Sequence, residues 1–177
     1  MYGAHREVMH TLATMRQVLF VCTGNVFRSL TAEYALRRVL GNRHRVRVSS
    51  AGTEDLSCTV DPLVSAYLRS RGIDVSGHRR RTLTADMLQP SVTVIAMSTD
   101  HREFIAQRFG RHDVPLFTQA CGLEPAPLLD VHEVIPDPSS NPTAKEAHIR
   151  LTIDRILQLT PQLARRLVSD ALEEVPS

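Results

Sequence analysis

Short apolar runs alternate along the chain with longer segments in which apolar residues recur every three or four positions. Continuous runs occupy residues 17–22, 92–97 and 114–117, and residues 46–50 form a further strand pattern. Continuous runs of this kind are typical of strands that are buried on both faces of a parallel sheet. Because helical patterns separate them, we predict an α/β fold: a single-domain, three-layer sandwich with a four-stranded parallel sheet flanked by helices.

The helical segments begin and end at residues that commonly mark helix termini. Asp61 followed by Pro62 predicts a helix N-terminus. Gly41 and Gly110 follow two of the helical patterns and are expected to end them. The predicted helices cover residues 30–40, 61–71, 82–88, 99–109 and 143–167. The proline-rich segment 125–142 is predicted to be a long loop, and such loops in compact domains often carry function.

Length and composition favour one globular domain without a membrane span. The chain has 177 residues, of which 42% are hydrophobic and 23% charged, which is ordinary for a globular protein. Its formal net charge of +2 gives no reason to expect a nucleic-acid partner. No apolar run approaches the ~20 residues that a membrane helix needs. We predict an N-terminal extension over residues 1–15, a domain over 16–170 and a C-terminal tail over 171–177.

The three cysteines favour a reducing compartment. Their number is odd and their spacing does not resemble a zinc site, so we expect neither a disulfide framework nor a bound metal. Residues 1–17 lack the long apolar core of a signal peptide. These observations predict a cytoplasmic protein with no metal and no cofactor.

Residues 22–29, which read Cys-Thr-Gly-Asn-Val-Phe-Arg-Ser, carry the clearest chemical signal. They follow the first predicted strand and precede a predicted helix, so the backbone amides of this turn should form a nest for a phosphate-sized anion. Arg28 would add two donors to the phosphate oxygens. Cys22 would lie at the floor of the nest, where the helix N-terminus and the arginine favour a thiolate. A sulfur nucleophile beside an anion site indicates hydrolysis of a phosphate ester.

The remaining residues of this turn support the same interpretation. Gly24 allows a close backbone approach and Asn25 suits a left-handed turn. Ser29 is expected to hydrogen-bond the sulfur of Cys22. The predicted phosphate-binding loop therefore consists of Thr23, Gly24, Asn25, Val26, Phe27 and Ser29, with Cys22 and Arg28 as catalytic residues.

This turn resembles the phosphate loop of the low-molecular-weight protein tyrosine phosphatase family. Further similarity lies at residues 50–53, 72–81, 94–98 and 137–138. The resemblance implies a flavodoxin-like strand order and hydrolysis of phosphorylated protein, with phosphotyrosine favoured, through a cysteinyl-phosphate intermediate. Asp130, Glu133 and Asp137 all lie in the long loop, and Asp137 matches the family's general acid. Ser50 and His78 match positions whose side chains brace the loop asparagine.

Some positions depart from the family pattern. Phe27 stands where the family has a second loop cysteine, and Leu30 replaces a proline. Ser139 and Ser140 follow Asp137-Pro138, where the family usually has aromatic residues that contact a phenyl ring. Val26 matches the aliphatic residue of tyrosine phosphatases, whereas the related arginine phosphatases have threonine there. An aliphatic side chain favours an aryl substrate.

Three alternative functions stay open from the sequence. A protein arginine phosphatase would share the fold and the loop. An arsenate reductase of this fold would need two further cysteines as a relay, and Cys58 and Cys121 lie far apart in sequence. A non-catalytic phosphate-binding module would not need the intact set of Cys22, Arg28 and Asp137. A nucleotide-binding sheet is disfavoured because the first turn lacks a nucleotide-binding glycine motif. The physiological substrate and the oligomeric state are not predicted.

Overall fold

The computed structural model describes residues 15–41, 46–55 and 57–173. Three strands are present: β1 (Arg16–Cys22), β2 (Val46–Gly52) and β3 (Val92–Ala96). The helices are α1 (Arg28–Leu40), α2 (Pro62–Ser70), α3 (Thr99–Phe109), α4 (Phe117–Ala120), α5 (Val131–Val134) and α6 (Pro142–Glu173). A short 3₁₀ helix spans Ala85–Leu88.

The sheet is parallel, with β1 between its two neighbours in the order β2-β1-β3. The prediction of an α/β fold with a parallel sheet and flanking helices is confirmed. The prediction of four strands is wrong for the described residues. In the predicted fourth strand, Leu116 makes a single parallel bridge to Ala96. Pro115 accepts one bond from Ala96 N–H at 3.0 Å but has no N–H to donate, and Phe117 already begins α4.

Helices cover both faces of β1, and its side chains alternate between two apolar clusters. Val18, Phe20 and Cys22 belong to the cluster that also contains residues of α1 and α6. Leu19 and Val21 belong to a second cluster that includes Ile105 of α3. Alternation between two buried faces is what a central parallel strand requires. The end of β1 is thereby fixed from both sides, directly below the turn at residues 22–28.

Helix α2 begins as predicted, because the side chain of Asp61 accepts a bond from Leu63 N–H at 2.8 Å and Pro62 is the first helical residue. The helix predicted over residues 82–88 is shorter than expected. Thr82 instead bridges to Gly52 at the end of β2, and the helical turn begins at Ala85.

The predicted loop over residues 125–142 contains the helix α5, which the sequence analysis missed. Asp130 and Glu133 form a capping box at its N-terminus, and this spacing is a known start signal of helices. The prolines on either side of these four residues led to the prediction of a loop.

The predicted N-terminal extension lies outside the described residues except for Met15, and so does the C-terminal part of the predicted tail. Helix α6 continues to Glu173, inside the range predicted as tail. Among the described residues, no helix is both long and apolar enough to span a membrane.

Candidate active site

The turn at residues 22–28 connects the end of the central strand to the start of α1. Across the described ranges, no acceptor is found for the backbone N–H groups of residues 23–27. Helix α1 begins after Phe27 without a side-chain cap, so its first amides also lack partners. A ring of unpartnered amides at a helix N-terminus is suited to bind an anion.

Cys22 is the last residue of β1 and the first of this turn, and it is 2% exposed. Its Sγ is 2.9 Å from Ser29 Oγ. The hydroxyl oxygen of Ser29 already accepts a bond from Asn25 Nδ2 at 3.1 Å. Its proton can then be donated to the sulfur of Cys22.

Asn25 holds the turn in its shape. Its φ of 56° lies in the left-handed region, which asparagine tolerates better than most residues. Asn25 Nδ2 donates to Ser50 Oγ at 2.7 Å, and Oδ1 accepts from Arg81 N–H at 2.9 Å. His78 Nε2 is 2.8 Å from the Asn25 carbonyl oxygen. Both residues predicted to brace Asn25 contact it, although His78 contacts the backbone rather than the side chain.

The protonation of His78 follows from its surroundings. Burial lowers the pKa of the ring below its ordinary value of 6.5, although the bond to the Asn25 carbonyl opposes that shift. A neutral ring must carry its proton on Nε2 in order to donate to this carbonyl. His78 therefore acts as a neutral donor to the loop.

Glu33 of α1 connects this bracing network to two arginines. Its carboxylate is buried, accepts a bond from Ser50 O–H, and pairs with Arg37 at 2.5 Å and with Arg81 at 3.4 Å. A buried carboxylate needs such partners to offset its desolvation. Glu33 was not predicted as a site residue, because only the folded chain brings it beside Ser50.

Gly52 at the end of β2 packs directly against the turn. A Cβ atom at this position would lie 2.5 Å from the Thr23 carbonyl oxygen and 3.1 Å from Asn25 N. Both neighbours are backbone atoms, so any larger residue here would displace the loop.

Arg28 is the most constrained cation of the site, with 1% of its surface exposed. Its Nη1 donates to the Leu128 carbonyl at 2.8 Å and to Glu133 at 3.3 Å. Its Nη2 donates to Asp130 at 2.5 Å and to Thr23 Oγ1 at 3.3 Å. Arg28 Nε is the one buried side-chain polar atom without a partner among the described residues. A fixed guanidinium with one free N–H fits a phosphoryl oxygen as the missing acceptor.

A family model and several known proteins are similar to this chain. The model described as "Low molecular weight phosphotyrosine protein phosphatase" matches residues 17–173. The chain belongs to this family. The low molecular weight protein-tyrosine-phosphatase Etp of Escherichia coli is 35% identical over 85 residues, which cover 48% of this chain and 55% of Etp. This chain therefore spans about half the length of the first curated relatives it matches.

Arginine phosphatases also appear among the similar proteins. The protein-arginine-phosphatase of Bacillus subtilis is 34% identical over 104 residues, which cover 57% of this chain and 68% of that protein. The solved structure of the YwlE arginine phosphatase from Geobacillus stearothermophilus superimposes with a TM-score of 0.74 at 25% identity, and covers 92% of this chain and 99% of that one. Family membership alone therefore leaves the phosphorylated residue open.

A cavity of about 920 Å³ opens over the loop of this family member. Its lining includes Thr23, Val26 and Phe27 of the turn together with residues 130–133 and 136–139. The cavity is thus lined by both the predicted phosphate-binding loop and the predicted acid loop. Within the described ranges, no group of three or more His, Cys, Asp or Glu side chains could hold a metal ion.

Asp137 lies on the exposed rim of the cavity, and its carboxylate is held by its neighbours. It accepts bonds from Ser139 N–H at 3.1 Å and Ser140 N–H at 3.3 Å, and from both serine hydroxyls. These bonds lower the pKa of Asp137 to about 2. Without a ligand, the residue predicted to be the general acid is therefore ionised.

From the sequence, Asp130 and Glu133 are expected only as alternatives to Asp137 as the general acid. The structure shows both of them against Arg28, where they offset the charge of a buried guanidinium. Their spacing as a capping box was the available signal. The capping box predicts the start of α5. It does not indicate that this end of the helix contacts Arg28, which lies far earlier in the sequence.

Proposed function

We propose that this chain hydrolyses phosphate monoesters on proteins through a covalent cysteinyl phosphate. The observation that carries the proposal is the free N–H of Arg28 Nε beside a loop of unpartnered amides, with Cys22 at its base. Buried donors without acceptors are costly in a folded protein. A bound phosphoryl group would satisfy all of them at once.

The first chemical step is an in-line attack of the Cys22 thiolate on phosphorus. The S–P bond forms while the P–O bond to the leaving group breaks, and the leaving oxygen takes a proton from an acid. The loop amides and Arg28 hold the equatorial oxygens throughout. The O–H of Ser29 stabilises the sulfur before attack and again when sulfur leaves.

The second step reverses these roles. Water attacks phosphorus, the S–P bond breaks, and inorganic phosphate leaves while Cys22 returns as a thiolate. The same acid, now ionised, accepts the proton of the water. No cofactor takes part in this scheme, since every proton and electron pair comes from the substrate, water, Cys22 or a carboxyl group.

Asp137 is our candidate for this acid, because Asp130 and Glu133 are already bound to Arg28. The serine bonds keep Asp137 ionised in the free protein. A bound phosphate dianion acts in the opposite direction, since a nearby negative charge raises the pKa of a carboxyl group. Substrate binding would thus shift Asp137 toward its protonated form, and transfer of that proton to the leaving group would leave it ionised for the second step.

The Asp137→Asn variant should distinguish esters by their leaving groups. Loss of a proton donor should reduce kcat on phenyl phosphate by about 10²–10³-fold. Its effect on para-nitrophenyl phosphate should be much smaller, because that leaving group departs without protonation. The measurement is kcat for both esters with the wild type and the variant. Equal losses on both would contradict the assignment, and Asp100→Asn on the same cavity rim is the matched control.

Phosphotyrosine is the substrate that we propose. Val26 and Phe27 give the cavity an apolar wall beside the loop, which suits an aryl ring better than a guanidinium. Protein arginine phosphatase activity is the second candidate, because arginine phosphatases are among the similar proteins. Nucleic acid is not a proposed partner.

Arsenate reduction and simple phosphate binding receive less support. A reductase needs thiols that pass a disulfide along, and Cys121 is 3% exposed. Burial raises the pKa of the Cys121 thiol to about 11, so this thiol is a poor nucleophile at neutral pH. A binding module would have no use for the sulfur at the base of the loop.

A panel of phosphopeptides tests this proposal. The panel carries phosphotyrosine, phosphoserine, phosphothreonine or phosphoarginine in one sequence context, and phosphate release gives kcat/KM for each. Cys22→Ser serves as the inactive control. We expect the phosphotyrosine peptide to be hydrolysed fastest. A higher kcat/KM for phosphoarginine would overturn the substrate assignment, and no release from any peptide would overturn the proposed activity.

We also propose that the protein works in the cytoplasm. The three cysteines are free, and a catalytic thiolate needs reducing conditions. Fractionation of the source cells checks this placement, and recovery of the protein outside the cytoplasmic fraction would contradict it.

A further inference from the structure

A chain of hydrogen bonds links the N-terminus of α3 to the catalytic arginine. Ser98 N–H and Ser98 O–H approach His101 Nδ1 at 3.1 and 2.8 Å. His101 Nε2 is 2.9 Å from Thr23 Oγ1, and the same oxygen accepts a bond from Arg28 Nη2 at 3.3 Å. None of these contacts was predicted for the phosphate loop, and the chemistry proposed above does not use them.

The direction of each bond follows from the backbone. A backbone N–H can only donate, so His101 Nδ1 must be an unprotonated acceptor of Ser98 N–H. Burial and the nearby Arg28 charge lower the pKa of His101 to about 3, while Asp130 opposes this shift. The ring is therefore neutral above that pH, with its proton on Nε2, and it donates to Thr23.

Thr23 consequently receives two bonds at its hydroxyl oxygen, one from His101 and one from Arg28. Two lone pairs are the full acceptor capacity of a hydroxyl. Its own proton remains available, and Thr23 lines the cavity above the loop. His101 thus holds the hydroxyl oxygen of Thr23, which orients the Arg28 guanidinium. The hydroxyl proton of Thr23 remains available to a ligand.

We propose that His101 is a positioning residue for phosphoryl transfer, which acts by holding Thr23 as an acceptor for Arg28 and so sets the direction of Arg28 Nε. This inference rests on the proposed function. Catalytic constellations lose much of their activity when a reacting group is misplaced by about 1 Å. Partners that orient such groups typically contribute about 10–100-fold.

A purely structural role must be distinguished from this one. Ser98 and His101 also form a capping box at the start of α3, so loss of the histidine should lower stability in either case. Thr23→Val separates the two roles, because valine has nearly the same shape and leaves the capping box intact. His101→Gln is the conservative variant, since a glutamine amide offers an acceptor for Ser98 and a donor for Thr23.

The experiment is a double-mutant cycle with His101→Ala, Thr23→Val and the combined variant, together with His101→Gln. It measures kcat and KM on para-nitrophenyl phosphate, the inhibition constant of inorganic phosphate and the thermal midpoint. We expect each single variant to reduce kcat by about 10–100-fold with a smaller change in KM. The combined variant should be no slower than the slower single variant, and glutamine should restore most of the activity.

Two results would overturn the proposal. One is a His101→Ala variant with a lower thermal midpoint but kcat within about twofold of the wild type. The other is a combined loss equal to the product of the two single losses, which would mean that the residues act independently. If His101→Ala does not fold, kcat of Thr23→Val decides: near wild-type turnover overturns the proposal and a loss of the stated size supports it.

A different set of results is expected if the proposed hydrolase function itself is wrong. A wild type no faster than Cys22→Ser would reject the hydrolase while leaving the positioning question testable by binding. Calorimetry with inorganic phosphate then compares the wild type with Thr23→Val. Weaker binding in the variant supports the orientation of Arg28 by Thr23, and equal binding rejects it.

Discussion

The Cys22→Ser variant is expected to lose at least about four orders of magnitude in kcat on para-nitrophenyl phosphate. A serine hydroxyl is a weak nucleophile unless a base removes its proton. Ser29, the hydrogen-bond partner of residue 22, is itself a neutral hydroxyl and cannot take up this proton. The loop has no base to activate a serine, so the reaction should stop at bound substrate.

Binding should persist in this variant, which provides its internal control. The amides of the loop and Arg28 remain in place, because serine and cysteine differ little in size. Inorganic phosphate should therefore inhibit or bind with a constant within about threefold of the wild-type value. A variant that kept more than about one hundredth of the wild-type kcat would contradict sulfur as the nucleophile.

Arg28→Lys should reduce kcat/KM by about 10²–10³-fold, although the charge is retained. The guanidinium bonds four acceptors through its two terminal nitrogens and keeps Nε free for the ligand. An ammonium has three donors and no planar arrangement. Three donors cannot replace the four bonds to the protein and also supply a fifth bond to a phosphoryl oxygen.

Arg38→Lys is the matched control for this prediction. Arg38 lies on the exposed side of the same helix, ten residues after Arg28, and bonds the carbonyl of Arg71. It should retain wild-type kcat/KM. Should Arg28→Lys likewise remain within about threefold of the wild type, the guanidinium would not be the group that holds the phosphoryl oxygens.

The sequence predicted the parts of this fold that depend on local signals. The strand ending at Cys22 and the helix that follows it are readable from apolar periodicity and from the turn between them. The start of α2 is readable from Asp61 and Pro62. The prediction of a fourth strand was wrong because the apolar run around Pro115 has the hydrophobic pattern of a strand, but Pro115 has no N–H to donate to a neighbouring strand.

The surroundings of Arg28 could not be predicted in the same way. Asp130 and Leu128 reach it from about a hundred residues away in sequence, and His101 acts through Thr23 from another element. No local pattern encodes such contacts, which depend on how α3 and the segment around α5 pack over the end of β1. Asp137 is the opposite case. The Asp-Pro motif singled it out as the candidate acid, but the motif does not show that bonds from Ser139 and Ser140 lower its pKa.

The most direct test is to look for the phosphoryl group on the enzyme during turnover. Wild-type protein is mixed with para-nitrophenyl phosphate, denatured within milliseconds and analysed by peptide mass spectrometry, with Cys22→Ser treated in parallel. We expect one phosphoryl group on the peptide that contains Cys22, attached to sulfur, and none in the variant. Turnover at the full wild-type rate with Cys22 unmodified at every time point, or with the phosphoryl group on another residue, would contradict it.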